Sequence, residues 1–461
     1  MKHYTSIKYL LSSLCILSGN VYAQVNNPKP NIVLILADDL GYGDLGVTGS
    51  KQIKTPNIDA LAASGVFCNT GYVTSAVSSP SRAGLMTGRN QVEFGHDNNI
   101  GGNQTGFDKS FLGLPVKEQT LANRLKNSGY VTGLIGKWHL GEEDHFHPVN
   151  RGFDEFWGYL GGGHNYFPTK KGNGYNADII CNFGASTKVS YITDDKGDQC
   201  ASFIDRHKEE PFFLFASFNA PHSPLQAKES DLAKYKHIKD KRRRTYCAMV
   251  DCLDANVAKI VQSLKDNGVY ENTIIFFLSD NGGPTYVTAC NAPLNGQKGC
   301  LLEGGIRVPY IVSYPKMLPA NTQYQNAVSS LDIAATSCAL AGADTTGLEG
   351  VNLVPFLAGK TDQQPHELLK WRFTISAAIR YGNYKLIRVP DRFPLLFDLS
   401  TDIGEKKNLV FEKPLLAEKL LKQLGQWDIS LPHPVFLEGA VYKKSQLSYY
   451  DTEFKTTQPE D

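Results

Sequence analysis

Four short and nearly continuous apolar runs restrict the folds open to this chain more than any other feature. They span residues 31–37 (NIVLILA), 130–136 (YVTGLIG), 211–218 (PFFLFASF) and 272–279 (NTIIFFLS). A strand that is apolar without alternation is buried on both faces, which is typical of parallel sheets covered by helices. Helical patterns separate these runs, at residues 56–63, 118–128 and 241–267. The chain is therefore predicted to form an α/β sandwich with a mostly parallel central sheet.

The pattern changes after about residue 360, where shorter segments such as residues 374–379 and 384–389 follow one another. Short alternating segments are typical of antiparallel strands. We therefore expect a main domain over residues 24–360 and a smaller antiparallel-sheet subdomain over residues 361–461.

The first 23 residues have the pattern of an export signal. Lys2 and Lys8 accompany a mostly apolar stretch at residues 9–17, and residues 21–23 (VYA) resemble a cleavage site before Gln24. A membrane anchor is the alternative, but this stretch is shorter than the roughly 20 residues that span a bilayer. No later stretch is long and apolar enough to span either. The mature chain is predicted to be periplasmic or secreted.

Charge and cysteine usage argue against two classes of protein. The chain has 47 basic and 46 acidic residues, and loss of Lys2 and Lys8 leaves 45 basic ones. This balance gives no footprint for nucleic acid, and the basic run at residues 239–244 is interpreted as the solvated start of a helix. Eight of the nine cysteines follow the signal, without the paired short spacings of a zinc site. One or two disulfides are possible in an exported protein.

Polar side chains follow each of the four apolar runs. They are Asp38 and Asp39 after the first, Lys137 and His139 after the second, His222 after the third, and Asp280 and Asn281 after the fourth. Because ligands of open α/β sheets bind at the carboxyl ends of the strands, these residues are expected to converge on one site. The Asp and Asn side chains offer oxygen ligands, which suit a hard cation such as calcium. For any single pair, a turn or a helix cap is the ordinary alternative.

The segment SSPSRAGLMTG, residues 78–88, contains a candidate nucleophile. Ser78 or Ser79 is predicted to cap a helix that starts at Pro80 and ends before Gly88. A nucleophile there would face the free backbone donors of the helix, which favour an anion. Taken alone, a serine that caps a helix is the more ordinary interpretation.

This segment resembles the signature of the formylglycine-dependent sulfatases: Cys or Ser, any residue, Pro, Ser and Arg, followed later by Thr-Gly. Further family motifs occur in order along nearly the whole mature chain. They are LADDLGYGDLG at 36–46, TPNIDALAASG at 55–65, GKWHLG at 136–141, NRGFDEFWG at 150–158, APHSP at 220–224, SDNGG at 279–283 and QKG at 297–299. The resemblance implies an alkaline-phosphatase-like fold with its catalytic domain at residues 24–360. It also implies an arylsulfatase-like enzyme of the serine type that hydrolyses sulfate monoesters, with a carbohydrate as the favoured substrate.

The resemblance also implies a role for each matching residue. Ser78 would be oxidised to formylglycine (3-oxoalanine) by a dedicated maturase, and a hydroxyl of the hydrated aldehyde would attack sulfur. Ca²⁺ would be held by Asp38, Asp39, Asp280, Asn281 and the converted Ser78. Arg82 would anchor the hydrated aldehyde, and Lys137 and Lys298 would bind sulfate oxygens. His222 with Lys298 would help to protonate the departing alcohol, and His139 would be the base that leads to release of sulfate.

Two loops are candidates for contact with the alcohol part of the substrate. They contribute His96, Asn98 and Asn99 in GHDNN, and His164 and Asn165 in GGGHNYF. Hydrogen bonding that stabilises the loops themselves is the alternative. A small sulfated saccharide held by its end is the expected substrate, since no elongated basic groove is evident in the sequence.

Two other functions stay open at this point. The first is a phosphatase or phosphodiesterase of the same fold that uses unmodified Ser78. Its zinc-dependent members place histidines among their metal ligands, whereas Asn281 stands here where Asp-His would be expected. The second is a sulfated-glycan binder without turnover. Metal content and release of free sulfate distinguish these functions from a sulfatase.

Overall fold

The computed structural model describes residues 29–101, 108–168, 178–185, 189–437 and 440–454. The predicted export signal at residues 1–23 lies outside these ranges. The strands are β1 (Asn31–Asp38), β2 (Val66–Cys68), β3 (Gly71–Tyr72), β4 (Val131–Lys137), β5 (Glu155–Tyr159), β6 (Ile180–Cys181), β7 (Gly184–Ala185), β8 (Phe212–Pro221), β9 (Thr273–Ser279), β10 (Tyr310–Ser313), β11 (Thr322–Tyr324), β12 (Val328–Ser329), β13 (Leu368–Phe373), β14 (Ser376–Tyr381), β15 (Tyr384–Arg388) and β16 (Leu395–Asp398).

The α-helices lie between these strands along the chain and after the last of them. They are α1 (Pro56–Ala63), α2 (Ser78–Thr87), α3 (Leu121–Asn127), α4 (Ile192–His207), α5 (Glu229–Lys234), α6 (Lys241–Asp266), α7 (Glu303–Ile306), α8 (Leu331–Ala341), α9 (Val354–Leu357), α10 (Pro414–Ser430) and α11 (Ala440–Phe454).

The central sheet has ten strands in the order β11-β2-β10-β9-β1-β8-β4-β5-β6-β7. The four predicted apolar runs form its middle, because β9, β1, β8 and β4 are neighbours and all pair in parallel. Strand β8 extends to Pro221, three residues beyond its predicted end, and Asp38 pairs with Pro221 in the register of β1 and β8. The extension carries the chain to His222 at the same edge as Asp38.

Helices cover both faces of this sheet. Val33 and Ile35 of β1 belong to one apolar cluster, with side chains of α1, α4 and α6. Ile32 and Leu34 point to the other face, where they join side chains of α2, α3 and α8. This arrangement is the predicted α/β sandwich. Successive side chains of β1 point alternately into the two apolar clusters, which explains why the sequence of the strand is continuously apolar.

The predicted helices are present, with one shift of boundary. Helix α3 begins at Leu121 rather than near residue 118, because Thr120 accepts a hydrogen bond from the Asn123 amide and forms a capping box with that residue. Helices α1 and α6 match their predicted bounds to within a residue. Asp240 caps α6, since its carboxylate accepts hydrogen bonds from the Arg242 and Arg243 amides.

A second, antiparallel sheet contains β13 to β16 in sequential order, as the alternating segments predict. One of its faces packs Trp371 and Phe373 against Tyr72 and Leu301 of the main body. The other face packs against α10. The placement of a domain boundary at residue 360 stays a prediction.

A fully buried ion trio joins the second sheet to the segment that carries Lys298. Lys385 Nζ of β15 lies 2.9 Å from Glu303 Oε1 and 2.9 Å from Glu405 Oε1, and all three side chains have no exposed surface. Glu303 also accepts hydrogen bonds from the Tyr72 hydroxyl at 2.7 Å and from Arg307 at 3.3 Å. The trio therefore holds β15 against the start of α7.

Two further observations bear on earlier expectations. The eight cysteines within the described ranges are all free thiols, so the structure contains no disulfide there. Over the same ranges no helix combines the length and apolar character that a bilayer crossing requires.

Candidate active site

Polar and charged side chains at the carboxyl ends of β1, β4 and β9 contact one another, as predicted for the ligand-binding edge of a parallel sheet. Lys137 Nζ at the end of β4 lies 2.7 Å from Asp38 Oδ2 at the end of β1. Asn281 Nδ2, just beyond β9, donates to Asp39 Oδ1 at 2.7 Å. Lys298 Nζ reaches the same carboxylate from a separate loop, 2.9 Å from Asp39 Oδ2. The predicted metal and catalytic residues therefore lie in one buried cluster.

The backbone turns sharply where two of these strands end. Asp39 has φ 65° and His139 has φ 61°, in the left-handed region that non-glycine residues seldom adopt. Such conformations persist where the surrounding contacts determine them, and they concentrate at functional sites. At the end of β1 the consecutive side chains of Asp38 and Asp39 both reach the cluster.

Helix α2 presents Ser78 to this cluster. The Ser78 hydroxyl lies 3.2 Å from Asp38 Oδ1 and 3.2 Å from Asn281 Oδ1, and it donates its one proton to either oxygen. The prediction that Ser78 or Ser79 caps a helix starting at Pro80 is wrong. The helix begins at Ser78, and Val77 is the N-cap residue without a side-chain hydrogen bond. Ser78 is therefore in the first turn, beside the free amides and the positive end of the helix.

Arg82 lies one helical turn beyond Ser78 and is almost completely buried. Its Nε donates to Asp280 Oδ2 at 2.9 Å, and its Nη1 donates to the Ser217 hydroxyl at 2.7 Å. Its Nη2 has no hydrogen-bond partner among the described residues and lies 4.0 Å from Asp38 Oδ1. A buried N–H group without a partner is costly, so this donor marks a place where a ligand oxygen would be stabilised.

The two candidate histidines have different surroundings. His139 Nε2 donates to the Ile100 carbonyl at 2.8 Å, which leaves Nδ1 as an acceptor, and Nδ1 has no partner within the described residues. Burial, together with the positive charge of Lys137, holds the pKa of His139 well below its usual value, so the ring is neutral. His222 Nε2 lies 3.6 Å from Asp39 Oδ2, while its Nδ1 donates to the Ser223 carbonyl.

The electrostatics of the cluster favour ionised carboxylates. Burial alone would raise the pKa of Asp38, but the nearby cations, Lys137 first among them, lower it to about 2. Burial likewise opposes ionisation of Asp39, and Lys298 and His222 overcome it so that its pKa is lowered. Burial lowers the pKa of Lys137, although Asp38 partly opposes this effect.

The donor atoms at this site fit a divalent cation. Ligand atoms of Asp38, Asp39 and His222 lie within 4.8 Å of one another. Asn281 adds an amide oxygen 3.2 Å from the Ser78 hydroxyl. Asp280 is engaged by Arg82 through Oδ2, and its Oδ1 accepts a hydrogen bond from the Asp39 amide at 3.3 Å. The set is rich in carboxylate and amide oxygens, which hard cations such as calcium prefer over the nitrogen and sulfur ligands of zinc.

The GHDNN loop supports the first turn of α2. Asn99 accepts a hydrogen bond from the Ser79 amide at 2.9 Å, and His96 Nε2 lies 2.8 Å from the Ser79 hydroxyl. Asn98 donates to the Phe436 carbonyl at 2.9 Å. Burial lowers the pKa of His96 to about 3, so this ring is neutral. These contacts match the alternative in which the loop is stabilised by its own hydrogen bonds, and contact with substrate stays a prediction.

The GGGHNYF loop lies next to the turn that carries His222. The Asn219 side chain donates through Nδ2 to the His164 backbone carbonyl at 3.5 Å. The His222 backbone amide donates to the Asn219 backbone carbonyl at 2.7 Å. Asn165 accepts a hydrogen bond from Gln226 at 3.2 Å. Each of the two predicted loop residues is 8% exposed, so only a small part of either side chain reaches solvent.

Sequence reasoning missed one cation behind the site, Lys196 of α4. It is completely buried, donates to Asn219 Oδ1 at 2.7 Å and lies 5.0 Å from the centre of the Tyr159 ring. Burial lowers its pKa well below the usual value, while Asp38 favours the charged form. A signal was available, because Lys196 shares the helical stripe of Ile192, Cys200 and Phe203, where a lysine is out of place.

Comparison with known proteins decides the family. The sulfatase family matches residues 30–343, which is more than half of the chain. The chain belongs to the sulfatase family. This sulfatase is a sulfuric ester hydrolase, and residues 297–428 match the C-terminal region of N-sulphoglucosamine sulphohydrolase.

Several relatives cover most of this sulfatase. N-acetylgalactosamine-6-sulfatase of Canis lupus familiaris is 32% identical over 81% of this chain and 74% of its own length. Arylsulfatase D of Homo sapiens is 29% identical over 90% of this chain and 89% of its own length. The crystal structure of Ps i-CgsB in complex with k-i-k-neocarrahexaose has a TM-score of 0.83 at 37% identity, covering 93% of this chain and 99% of that one. The fold of the sulfatase is the expected alkaline-phosphatase-like sandwich.

Proposed function

We propose that this sulfatase releases inorganic sulfate from a sulfated saccharide, with a formylglycine made from Ser78 as nucleophile and Ca²⁺ as metal. The observation that carries the proposal is the position of Ser78. Its hydroxyl lies at the positive end of α2, 3.2 Å from Asp38 and from Asn281, within a cluster that also holds Arg82, Lys137 and Lys298. An attacking oxygen at this place would meet an anionic group among preorganised positive charges.

Calcium would be held by oxygens of Asp38, Asp39, Asp280 and Asn281, with the converted Ser78 completing the set. The bound ion would neutralise sulfate oxygens and lower the energy of the developing negative charge. Two of these carboxylates, Asp38 and Asp39, are ionised at neutral pH, because the pKa of Asp38 is about 2 and that of Asp39 is also lowered.

A formylglycine supplies a hydrated aldehyde, which is a nucleophile that can release sulfate afterwards and regenerate the aldehyde. Arg82 would fix this group through Nη2, since the other two guanidinium nitrogens already donate to Asp280 and Ser217. Those two contacts hold the guanidinium plane before substrate arrives. Arg82 would therefore lose little conformational freedom on binding, which is the advantage of a preorganised site.

The basic side chains would share the remaining tasks. Lys137 and Lys298 would bind sulfate oxygens, and His222 with Lys298 would protonate the departing alcohol. His139 suits the role of base because it is neutral and its Nδ1 is an acceptor without a partner within the described residues. Its ring is fixed by the bond from Nε2 to Ile100, which sets the tautomer.

Relatives support a saccharide as the substrate. The names of N-acetylgalactosamine-6-sulfatase and of the Ps i-CgsB complex with k-i-k-neocarrahexaose both refer to sugars. The second of these proteins is 37% identical over nearly the whole chain. His96, Asn98, Asn99, His164 and Asn165 remain our candidates for contact with the sugar. We also propose that the protein is exported and that a formylglycine-generating maturase acts on Ser78.

Mass spectrometry of the tryptic peptide that spans residues 55–82 tests the proposal. In active enzyme, this peptide should be lighter than the unmodified sequence by two hydrogens, and Ser78→Ala should abolish sulfate release. Protein made without the maturase should fold but hydrolyse sulfate esters poorly. Fully active protein with an intact serine would refute the formylglycine mechanism. Two bound zinc ions in place of one calcium would favour the phosphatase alternative.

A further inference from the structure

A second concave surface lies between α5 and the first turn of α6. The groove has a volume of about 470 Å³. Its walls include Glu229 and Leu232 of α5, Lys236 of the connecting loop, and Lys241, Arg244 and Thr245 of α6. We call this surface, with the adjacent Lys239 and Arg242, the basic groove.

The basic groove carries positive charge that the protein itself does not neutralise. Lys236, Lys239, Lys241 and Arg242 are exposed and form no ion pair with any described carboxylate. Arg244 donates to the Ile238 carbonyl, which adds no negative charge.

The neighbouring acidic groups are too few to cancel these charges. Two carboxylates, Asp240 at the cap of α6 and Glu229 on the wall formed by α5, stand against the five cations of the basic groove. The next cation, Arg243, differs from the others because it pairs with Asp44 at 2.7 Å. If the basic run at residues 239–244 were only the solvated start of a helix, its exposure would be explained, but its position beside a cavity would not.

The basic groove lies at the same end of the sheet as the catalytic cluster. The hydroxyl of Tyr246, in the second turn of α6, donates to the Asp39 carbonyl at 3.4 Å and accepts a hydrogen bond from the Gly41 amide at 3.2 Å. Arg242 donates to the Tyr286 carbonyl at 2.9 Å. The amide of the preceding Thr285 donates to Gln297, the neighbour of Lys298, at 2.8 Å. A short path of contacts thus joins the basic groove to a catalytic lysine.

Tyr286 gives this path an aromatic surface, since its side chain is 60% exposed. A tyrosine ring offers an apolar face and a polar tip, which suits the mixed apolar and hydroxylated surface of a sugar ring. Exposed lysines are compact charges that can follow sulfate groups at variable positions. The combination fits a chain of sugars that carries further sulfates.

We propose that the basic groove binds the anionic remainder of a sulfated oligosaccharide while one of its sulfate esters lies in the catalytic cluster. This inference rests on the proposed saccharide substrate and extends it from a small sugar held by its end to a longer chain. The groove would raise the local concentration of a polyanionic substrate, and this effect would weaken with salt because its charges are exposed.

Binding of dextran sulfate to the full-length protein tests the inference separately from catalysis. Wild-type protein should bind dextran sulfate in affinity electrophoresis and should not bind uncharged dextran. The double variant Lys236→Ala/Lys241→Ala should bind dextran sulfate at least about tenfold more weakly at low salt, and the difference should shrink at high salt. With a sulfated oligosaccharide as substrate, the double variant should have a higher KM than wild-type protein and the same kcat. Hydrolysis of a small aryl sulfate should continue, which shows that the variant is folded.

A matched control removes two exposed lysines elsewhere, in Lys360→Ala/Lys422→Ala. Equal loss of dextran sulfate binding in this control, or unchanged binding in the groove variant, would overturn the inference. Equal affinity of the groove for duplex DNA of the same charge would overturn its assignment to sulfated sugars. If the groove binds sulfated saccharides that the enzyme does not hydrolyse, while aryl sulfate is hydrolysed, the proposed substrate fails and the groove stands.

Discussion

Replacing Lys385 by methionine tests whether the buried ion trio stabilises the contact between the second sheet and the main body of the protein. The substitution keeps the length of the side chain and removes the cation that lies 2.9 Å from both Glu303 and Glu405. With an effective dielectric constant of about 20, the contact with Glu303 contributes roughly 6 kcal/mol of Coulomb attraction, and the contact with Glu405 contributes a similar amount only when Glu405 is ionised. Most of this energy offsets the cost of taking the charges out of water. Breaking a buried pair on one side has a net cost of about 3–5 kcal/mol, which we expect for Lys385→Met.

The loss of unfolding free energy in Lys385→Met should be greater at high pH than at low pH. Burial, opposed by Lys385, raises the pKa of Glu405 from the usual 4.5 to about 7. A raised carboxyl pKa contributes stability that is fully present below the unfolded value and is lost as pH rises through the folded value. Without Lys385 the pKa of Glu405 in the folded protein rises further. At pH 8 the folded variant therefore keeps a proton on Glu405 that the folded wild-type protein and both unfolded chains release, and this difference lowers the stability of the variant. A rise of one unit or more should make the destabilisation at pH 8 greater than at pH 5 by about 1.4 kcal/mol.

Urea unfolding of both proteins at pH 5 and pH 8, followed by tryptophan fluorescence, measures these differences. Lys407→Met is the control, because Lys407 pairs with Glu412 in an exposed position, where a change within about 0.5 kcal/mol is expected. A loss below about 1 kcal/mol for Lys385→Met at pH 8, equal to the loss at pH 5, would show that the trio does not stabilise the fold as argued.

Three further substitutions test the catalytic cluster. Asp280→Ala should weaken Ca²⁺ binding, measured by calorimetry, at least about tenfold and should free the Arg82 guanidinium; unchanged Ca²⁺ affinity would exclude Asp280 as a ligand. His164→Ala should raise KM for a sulfated oligosaccharide more than for an aryl sulfate, whereas equal effects on both substrates would make His164 part of the scaffold. Lys196→Met should lower kcat about tenfold with little change in KM, because Asn219 loses the donor that holds its turn; a loss of stability with unchanged kcat would assign Lys196 a structural role only.

The sequence predicts the middle of this fold well and its periphery poorly. The runs that became β1, β4, β8 and β9 are recognisable because both faces of each strand are buried, which gives a continuous apolar pattern. Strands of two or three residues, such as β6 and β11, are too short to produce any pattern. Their existence depends on pairing with neighbours that are distant in sequence.

The candidate site shows the same division. The polar residues at the strand ends could be placed together from the sequence, because parallel strands end at one edge of the sheet. The start of α2 could not be placed, since no side chain caps it and Val77 gives no capping signal. The link from Lys196 to Asn219 joins residues 23 positions apart and depends on how α4 packs against β8. Contacts between elements of this kind follow from tertiary packing rather than from local sequence.

The burial of α2 bears on when the proposed oxidation of Ser78 would take place. All ten residues of the helix are buried, and Ser78 itself is 1% exposed. A maturase that oxidises Ser78 would need to reach a side chain that the folded protein buries almost completely. If Ser78 is oxidised as proposed, conversion would therefore precede folding, while residues 78–82 are still an extended peptide.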